Sequence, residues 1–268
     1  MNRVVFFHYP CNDGFGAAVA AHTKFGAEAT YIGLGYGGLP PIEEWAEADE
    51  VYFLDIAPEP ITLIHDMLKI VGRVIIIDHH KSTMEAFNNE KFDDRVEVHF
   101  DMKKSGAVLA WEILKPAQYV KKSDKWIELA MPMLYNYIQD WDLHTLKMPS
   151  SMEINAAIRS YPFTFQLWEE FLMRESTGTL QEIGAHVLRA EQVHQQQDFE
   201  HGAQWIALAG YTVPVINSTN NGGELAHHLL HHFKVPVAGY YFDRGDGKRQ
   251  WGLRSDGTVD VSELAKKY

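Results

Sequence analysis

One cysteine in 268 residues excludes an internal disulfide framework and any small fold stapled by bridges. No apolar run approaches the ~20 residues that span a bilayer, and the N-terminus shows no charged-then-apolar leader pattern. A cytoplasmic protein with no membrane partner is therefore expected. Basic tracts are missing too. The formal net charge is −12 with Lys and Arg scattered, so nothing offers the many phosphate contacts that hold long nucleic acid. A small anionic ligand held through metal ions suits that charge, because bound cations offset carboxylates. Acidity that merely keeps the chain soluble is the plainer reading of charge alone. There are no internal repeats and no low-complexity tracts.

What is present is concentrated at the ends of apolar runs. Val74 to Ile77 reads as a buried strand, and Asp78-His79-His80 follows it. Val4-Val5-Phe6-Phe7 leads into His8-Tyr9-Pro10-Cys11-Asn12-Asp13-Gly14, and Val51-Tyr52-Phe53-Leu54 leads into Asp55. Ligands of open α/β sheets bind outside the carboxyl ends of the strands. Carboxylates with imidazoles there suit a divalent metal. One shared cluster explains three such strand ends better than coincidence does.

The first ~100 residues alternate strand and helix signals, the pattern of a parallel sheet with crossover helices. Strands are expected at 3–8, 28–32, 51–54, 73–77 and 96–100, with helices around 14–25, 42–48 and 60–71. Helices are then expected at 105–117, 124–139, 164–174 and 179–198. The pattern restarts near 203 with two short strands, a helix over 223–232 and a hairpin around Arg244-Gly245-Asp246-Gly247. The expected architecture is α/β, a parallel-sheet domain (1–180), a helical linker (181–202) and a smaller α/β domain (203–268), with the active site in the cleft between the domains.

These motifs, with Tyr137-Ile138-Gln139-Asp140-Trp141-Asp142-Leu143, resemble the DHH phosphoesterase superfamily. Leu253-Arg254-Ser255 and Val259 to Ala265 resemble the DHHA1 domain that follows in many members. The resemblance implies a metal-dependent phosphodiesterase acting on short nucleotides: dinucleotides such as the linear products of cyclic dinucleotide breakdown, very short RNA in an oligoribonuclease-like reaction, or nucleoside bisphosphates. It also admits pyrophosphate or polyphosphate hydrolysis, and a non-catalytic nucleotide-binding protein. Two Mn²⁺ ions are implied, with Mg²⁺, Co²⁺ or Zn²⁺ as alternatives. By the family pattern, His8 and Asp55 hold one metal, and Asp55, His79 and Asp140 the other, with Asp13 on either of the two. Asp78 orients the histidines or touches a metal, and His80 contacts the scissile phosphate or protonates the leaving group. The partner is a short phosphorylated substrate rather than long nucleic acid, and a homodimer is compatible with the pattern.

Two departures stand out. Cys11 takes the place of the first Asp in the family's usual Asp-x-Asp, and it is either a ligand for a softer metal or a small buried loop residue. The sequence also ends at Tyr268, before the Gly-rich, His-containing substrate loop of DHHA1 domains, so either it is truncated or the phosphate contacts are made otherwise. Arg254 is then the leading phosphate contact. Asn221 and Gly222 could present backbone amides at a helix start. Ser105 is read as a helix cap that could also line the site, and Asp142 as a cap or a supporting residue. His227, His228, His231 and His232 are read as solvated helix histidines, and the Gly33–Gly38 run as a loop.

Overall fold

The alternating signals of the first hundred residues become a single five-stranded parallel sheet of order β2-β1-β3-β4-β5. The computed structural model describes residues 1–35, 42–116, 119–122, 125–128, 130–173, 177–219 and 222–266. Two compact units divide at 187/188. Asn221 and residues 36–38 of the glycine-rich run lie outside the described residues.

In the first unit the strands are β1 (Arg3–His8), β2 (Ala29–Leu34), β3 (Glu50–Leu54), β4 (Arg73–Asp78) and β5 (Val96–Phe100). Crossovers carry α1 (Asn12–Phe25), the short α2 (Leu63–Met67) and α3 (Lys81–Asn88). The strands read as unbroken apolar runs because both faces of the sheet are covered. Val5, Phe7, Tyr52, Leu54, Ile75 and Ile77 face one core cluster. Val4, Phe6, Val51, Phe53, Val74 and Ile76 face another, beneath Ile64, Met67 and Val71.

The first cluster is closed by α1, α4 (Gly106–Leu114), α5 (Met133–Asp142), α6 (Ser151–Arg159) and α7 (Phe165–Leu172). Small residues let α1 approach α4 closely: a Cβ at Gly16 would lie 3.0 Å from Ala107 Cβ. The buried Tyr135 hydroxyl donates to the Gly16 carbonyl at 3.1 Å and pins α5 to the same helix.

Several expectations are corrected. The helix expected over 42–48 is a 3₁₀ turn at Ile42–Glu44, and the one over 60–71 is only the five residues of α2. The helix expected over 124–139 is a hairpin of β6 (Tyr119–Lys122) and β7 (Lys125–Glu128), followed by α5. Pro132 explains the break. It stands at the N-cap of α5, and a proline inside a helix lacks the N–H and clashes with the preceding turn.

Helix α8 (Gly178–Gly202) runs across the division between the units. The second unit contains β8 (Gln204–Leu208), β9 (Tyr211–Asn217), α9 (Gly222–Phe233), β10 (Val237–Asp243), β11 (Arg249–Ser255) and α10 (Val261–Ala265). Its sheet has the order β11-β10-β9-β8, with β9 and β10 parallel and the outer pairs antiparallel. Helix α9 buries Leu225, Leu229 and Leu230 against Ile216 and Ala238. No helix among the described residues is long and apolar enough to cross a membrane.

Candidate metal centre

The order β2-β1-β3 places the reversal of strand order between β1 and β3. Connections leave these two strands in opposite directions, so a crevice opens at their carboxyl ends. His8 is the last residue of β1, Asp55 follows β3, and Asp78 ends β4. Asp55 turns the chain with a left-handed φ of 58°, a conformation Asp tolerates better than most residues. Its backbone N–H donates to the Ile77 carbonyl at 2.9 Å, which holds the turn against β4.

The Asp55 carboxylate is 1% exposed. Its Oδ2 lies 3.4 Å from His8 Nδ1, and its Oδ1 lies 3.2 Å from His79 Nε2. His79 Nε2 also stands 3.5 Å from Asp13 Oδ2 and 3.5 Å from Asp142 Oδ2. Two donor groups thus adjoin one carboxylate. Ligand atoms of His8, Cys11 and Asp55 lie within 4.8 Å of one another, as do those of Asp13, His79 and Asp142 and those of Asp55, Asp78, His79 and His80.

Asp13, in the first turn of α1, accepts from the Gly106 and Ala107 amides at 2.6 and 2.9 Å. It thereby joins the N-termini of α1 and α4. Asp78 Oδ1 accepts from the His79 and His80 amides at 2.7 and 3.3 Å, and lies 2.7 Å from His80 Nδ1. One buried carboxylate therefore sets the backbone of both histidines and the ring of the second.

The electrostatics show a surplus of negative charge. Burial pushes the Asp13 carboxyl well above its ordinary range, and the Asp55 and Asp142 charges add to this. Burial and Asp55 push Asp142 up to about 6. Burial, with Asp55 and Asp13, also pushes the Cys11 thiol up. For Asp55 burial works in the same direction, but the facing His79 and His8 imidazoles hold it at about 2. Burial opposes the His79 cation, yet Asp55, Asp13 and Asp142 raise it to about 9. Asp55 Oδ1 and Asp142 Oδ2 are buried and accept no well-aligned hydrogen bond within the protein. Unpaired buried oxygens among crowded carboxylates fit divalent cations. The mixed imidazole and carboxylate donors suit Mn²⁺, Co²⁺ or Zn²⁺ better than all-oxygen Mg²⁺ or Ca²⁺ sites.

Two expected roles are corrected. Asp140 is turned away from the cluster. Its Oδ1 accepts from the Thr145 hydroxyl at 2.6 Å and the Lys147 amide at 2.8 Å, and its Oδ2 from the Met148 amide at 3.1 Å. Asp142 stands beside His79 instead. Ser105 is fully buried, and its Oγ accepts from the Val108 amide at 3.4 Å, so it caps α4 and is closed to a substrate.

In the second unit the Arg254 guanidinium lies over the start of α9, where a Cβ at Gly223 would fall 2.6 Å from Nη2. Gly222 is buried against the Tyr240 ring, which occupies the space of a side chain.

Two supporting residues escaped the sequence reading. Asn155, fully buried on α6, accepts from the Asn12 amide at 3.1 Å through its carbonyl and donates to the Tyr137 carbonyl at 2.8 Å. It ties the start of α1 to α5. Gly106 sits where a Cβ would lie 2.6 Å from Asp55 Cβ and 2.8 Å from Oδ1. The signal available was Ser105-Gly106-Ala107 itself, a capping residue followed by two small ones. Gly106→Ala is expected to lower metal affinity about 10–100-fold, the usual cost of disturbing a residue that supports a ligand. The added Cβ would overlap Asp55 Cβ, so Asp55 or the start of α4 must shift and the melting temperature should fall too; full metal binding per chain would show that Gly106 does not set the position of Asp55.

No family model matches the chain. The uncharacterized protein R106 of Acanthamoeba polyphaga mimivirus is 24% identical over 289 aligned positions, which cover 99% of this chain. The chain spans 64% of the length of that curated relative. Among solved structures it is similar to exonuclease RecJ bound to manganese, with a TM-score of 0.53 and 15% identity over 98% of this chain and 80% of that one. It is also similar to PggH, a pGpG-specific phosphodiesterase from Vibrio cholerae, with a TM-score of 0.46 and 10% identity over 100% of this chain and 89% of that one.

Proposed function

We propose, from a fold similar to that of exonuclease RecJ and the motifs that resemble the DHH phosphoesterase superfamily, that the chain is a metal-dependent phosphodiesterase acting on short nucleotides. The observation that carries this reading is Asp55, a buried carboxylate with one oxygen facing His8 and the other facing His79. His8 and Asp55 would hold one cation. Asp13, Asp55, His79 and Asp142 would hold the other. Divalent cations bound there would lower the pKa of a coordinated water toward neutrality and offset charge on the leaving oxygen. His80 supplies the proton. Its Nδ1 is committed to Asp78, so Nε2 is the nitrogen that would protonate the departing oxygen, and the hydrogen bond to Asp78 raises the pKa of the ring. The manganese recorded with the RecJ neighbour makes Mn²⁺ the first ion to test.

The net charge of −12 without a basic tract supports short substrates over long ones. The test is a Mn²⁺-dependent hydrolysis panel of dinucleotides, a nucleoside bisphosphate, a twenty-mer, pyrophosphate and polyphosphate. Dinucleotides or the bisphosphate should be cut, the twenty-mer poorly, and chelation should stop the reaction. Preference for pyrophosphate or polyphosphate would transfer the site to phosphoanhydride hydrolysis. No turnover of any member, with nucleotide still bound, would leave a binding protein.

Two variants sharpen the assignment. His80→Ala is expected to lower kcat by ~10²–10⁴-fold with metal content unchanged. Arg254→Ala is expected to act mainly on KM, by about 1.5–3 kcal/mol, if the guanidinium makes a charged hydrogen bond to a substrate phosphate. Loss of metal from His80→Ala, or unchanged kinetics in Arg254→Ala on every substrate, would remove the corresponding role.

A further inference from the structure

Cys11 is the single cysteine of the chain, and it sits where α1 begins beside the proposed metal centre. Its backbone has the extended N-cap geometry, φ −150° and ψ 139°, and its thiol faces the Gly14 amide in the first turn. Ser, Thr, Asp or Asn would serve better for a cap. Cys11 Sγ instead belongs to a compact set: it, a ring nitrogen of His8 and a carboxylate oxygen of Asp55 lie within 4.8 Å of one another. These residues come from a strand end, a helix start and a second strand end. Ligands at ~2.0–2.3 Å from one ion are about 3.3–3.8 Å apart in tetrahedral geometry, so small side-chain shifts close the set on a cation. The Asp55 side of this set is buried: the residue is 1% exposed, and its Oδ2 lies 3.4 Å from His8 Nδ1.

We propose that Cys11 is a metal ligand, and that His8, Cys11 and Asp55 form a nitrogen–sulfur–oxygen site selective for a thiophilic divalent cation such as Zn²⁺, Co²⁺ or Fe²⁺. The inference rests on the metal-dependent reading above and deepens it, because it makes the two positions chemically different. The neighbouring set of Asp13, His79 and Asp142 offers only oxygen and nitrogen and suits Mn²⁺. On binding, a sulfur–metal bond forms and the thiol proton passes to water. A chain of this kind would hold unlike ions in its two positions, and assays in Mn²⁺ alone would understate its activity.

The experiment uses the full-length chain freed of metal and titrated with Co²⁺. A thiolate–cobalt charge-transfer band in the near ultraviolet is expected. It should vanish in Cys11→Ser, which should still bind cobalt at the other position. Cys11→Asp should shift relative affinity from Zn²⁺ toward Mn²⁺ by roughly tenfold or more. X-ray absorption of the zinc-loaded unaltered chain reads the same bond without a variant, as sulfur at about 2.3 Å beside a nitrogen and oxygen shell at ~2.0–2.2 Å. Cobalt bound without the band, or zinc without sulfur, overturns the ligand assignment and leaves the metal centre standing. No binding of any divalent ion overturns the metal centre as well.

Discussion

Asp55→Asn is expected to strip divalent metal from the chain and to reduce hydrolysis by at least about 10³-fold, because the two Asp55 oxygens face His8 and His79, one in each donor group. Asparagine is the informative replacement. It keeps the shape of the side chain and is one of the few residues at ease with a left-handed φ, which at this position is 58°. The backbone hydrogen bond from residue 55 to Ile77 is also unaffected by the change. Asp55→Ala would remove the charge too, but would add a backbone cost of ~1–2 kcal/mol and confuse loss of metal with loss of fold. The measurements are metal content per chain, melting temperature and turnover on a dinucleotide. Full metal occupancy with more than about a tenth of the activity would show that Asp55 is not the shared ligand.

The strand ends were legible because the physics of a doubly covered parallel sheet writes itself into the chain. Val4–Phe7, Val51–Leu54 and Val74–Ile77 must be apolar at every position, since alternate side chains enter opposite cores. The first polar residues after such runs are then those that reach the crevice. Strand order was not legible in this way. It depends on which side each crossover packs, and the reversal between β1 and β3 became visible only with the sheet assembled. The hairpin at 119–128 was hidden by a helical reading of the residues that follow, although Pro132 marks the true start of α5. Gly106 and Asn155 were hidden for another reason. Their roles are close approach to Asp55 and a hydrogen bond from Asn12, both across long separations in sequence.

Asp140 and Asp142 give the most direct test of what folding adds. Two residues apart on a helix means about 200° of rotation, so only one of them can face His79. The spacing does not say which. The loop after α5 decides it, because the Thr145 hydroxyl and the Lys147 and Met148 amides converge on Asp140. Burial pushes the Asp140 carboxyl up, but these donors outweigh it and hold it at about 2. A carboxylate depressed in the folded state contributes stability above the ordinary carboxylate pKa, ~3.9, and loses it as pH falls through about 2. Asp140→Asn is therefore expected to bind its full complement of metal and to unfold more easily by ~1–3 kcal/mol, since an amide cannot accept all three hydrogen bonds. Asp142→Asn should do the reverse. It removes a half-buried carboxylate that faces the Asp55 charge and is pushed up to about 6 by burial and Asp55, so the metal-free chain should be no less stable, while metal affinity falls by about 10-fold or more. Melting curves and metal stoichiometry, taken on both variants with and without Mn²⁺, separate the two. If Asp140→Asn loses metal and Asp142→Asn keeps it, the ligand belongs to the position the family pattern named, and the loop at 145–148 must release Asp140 when a cation arrives.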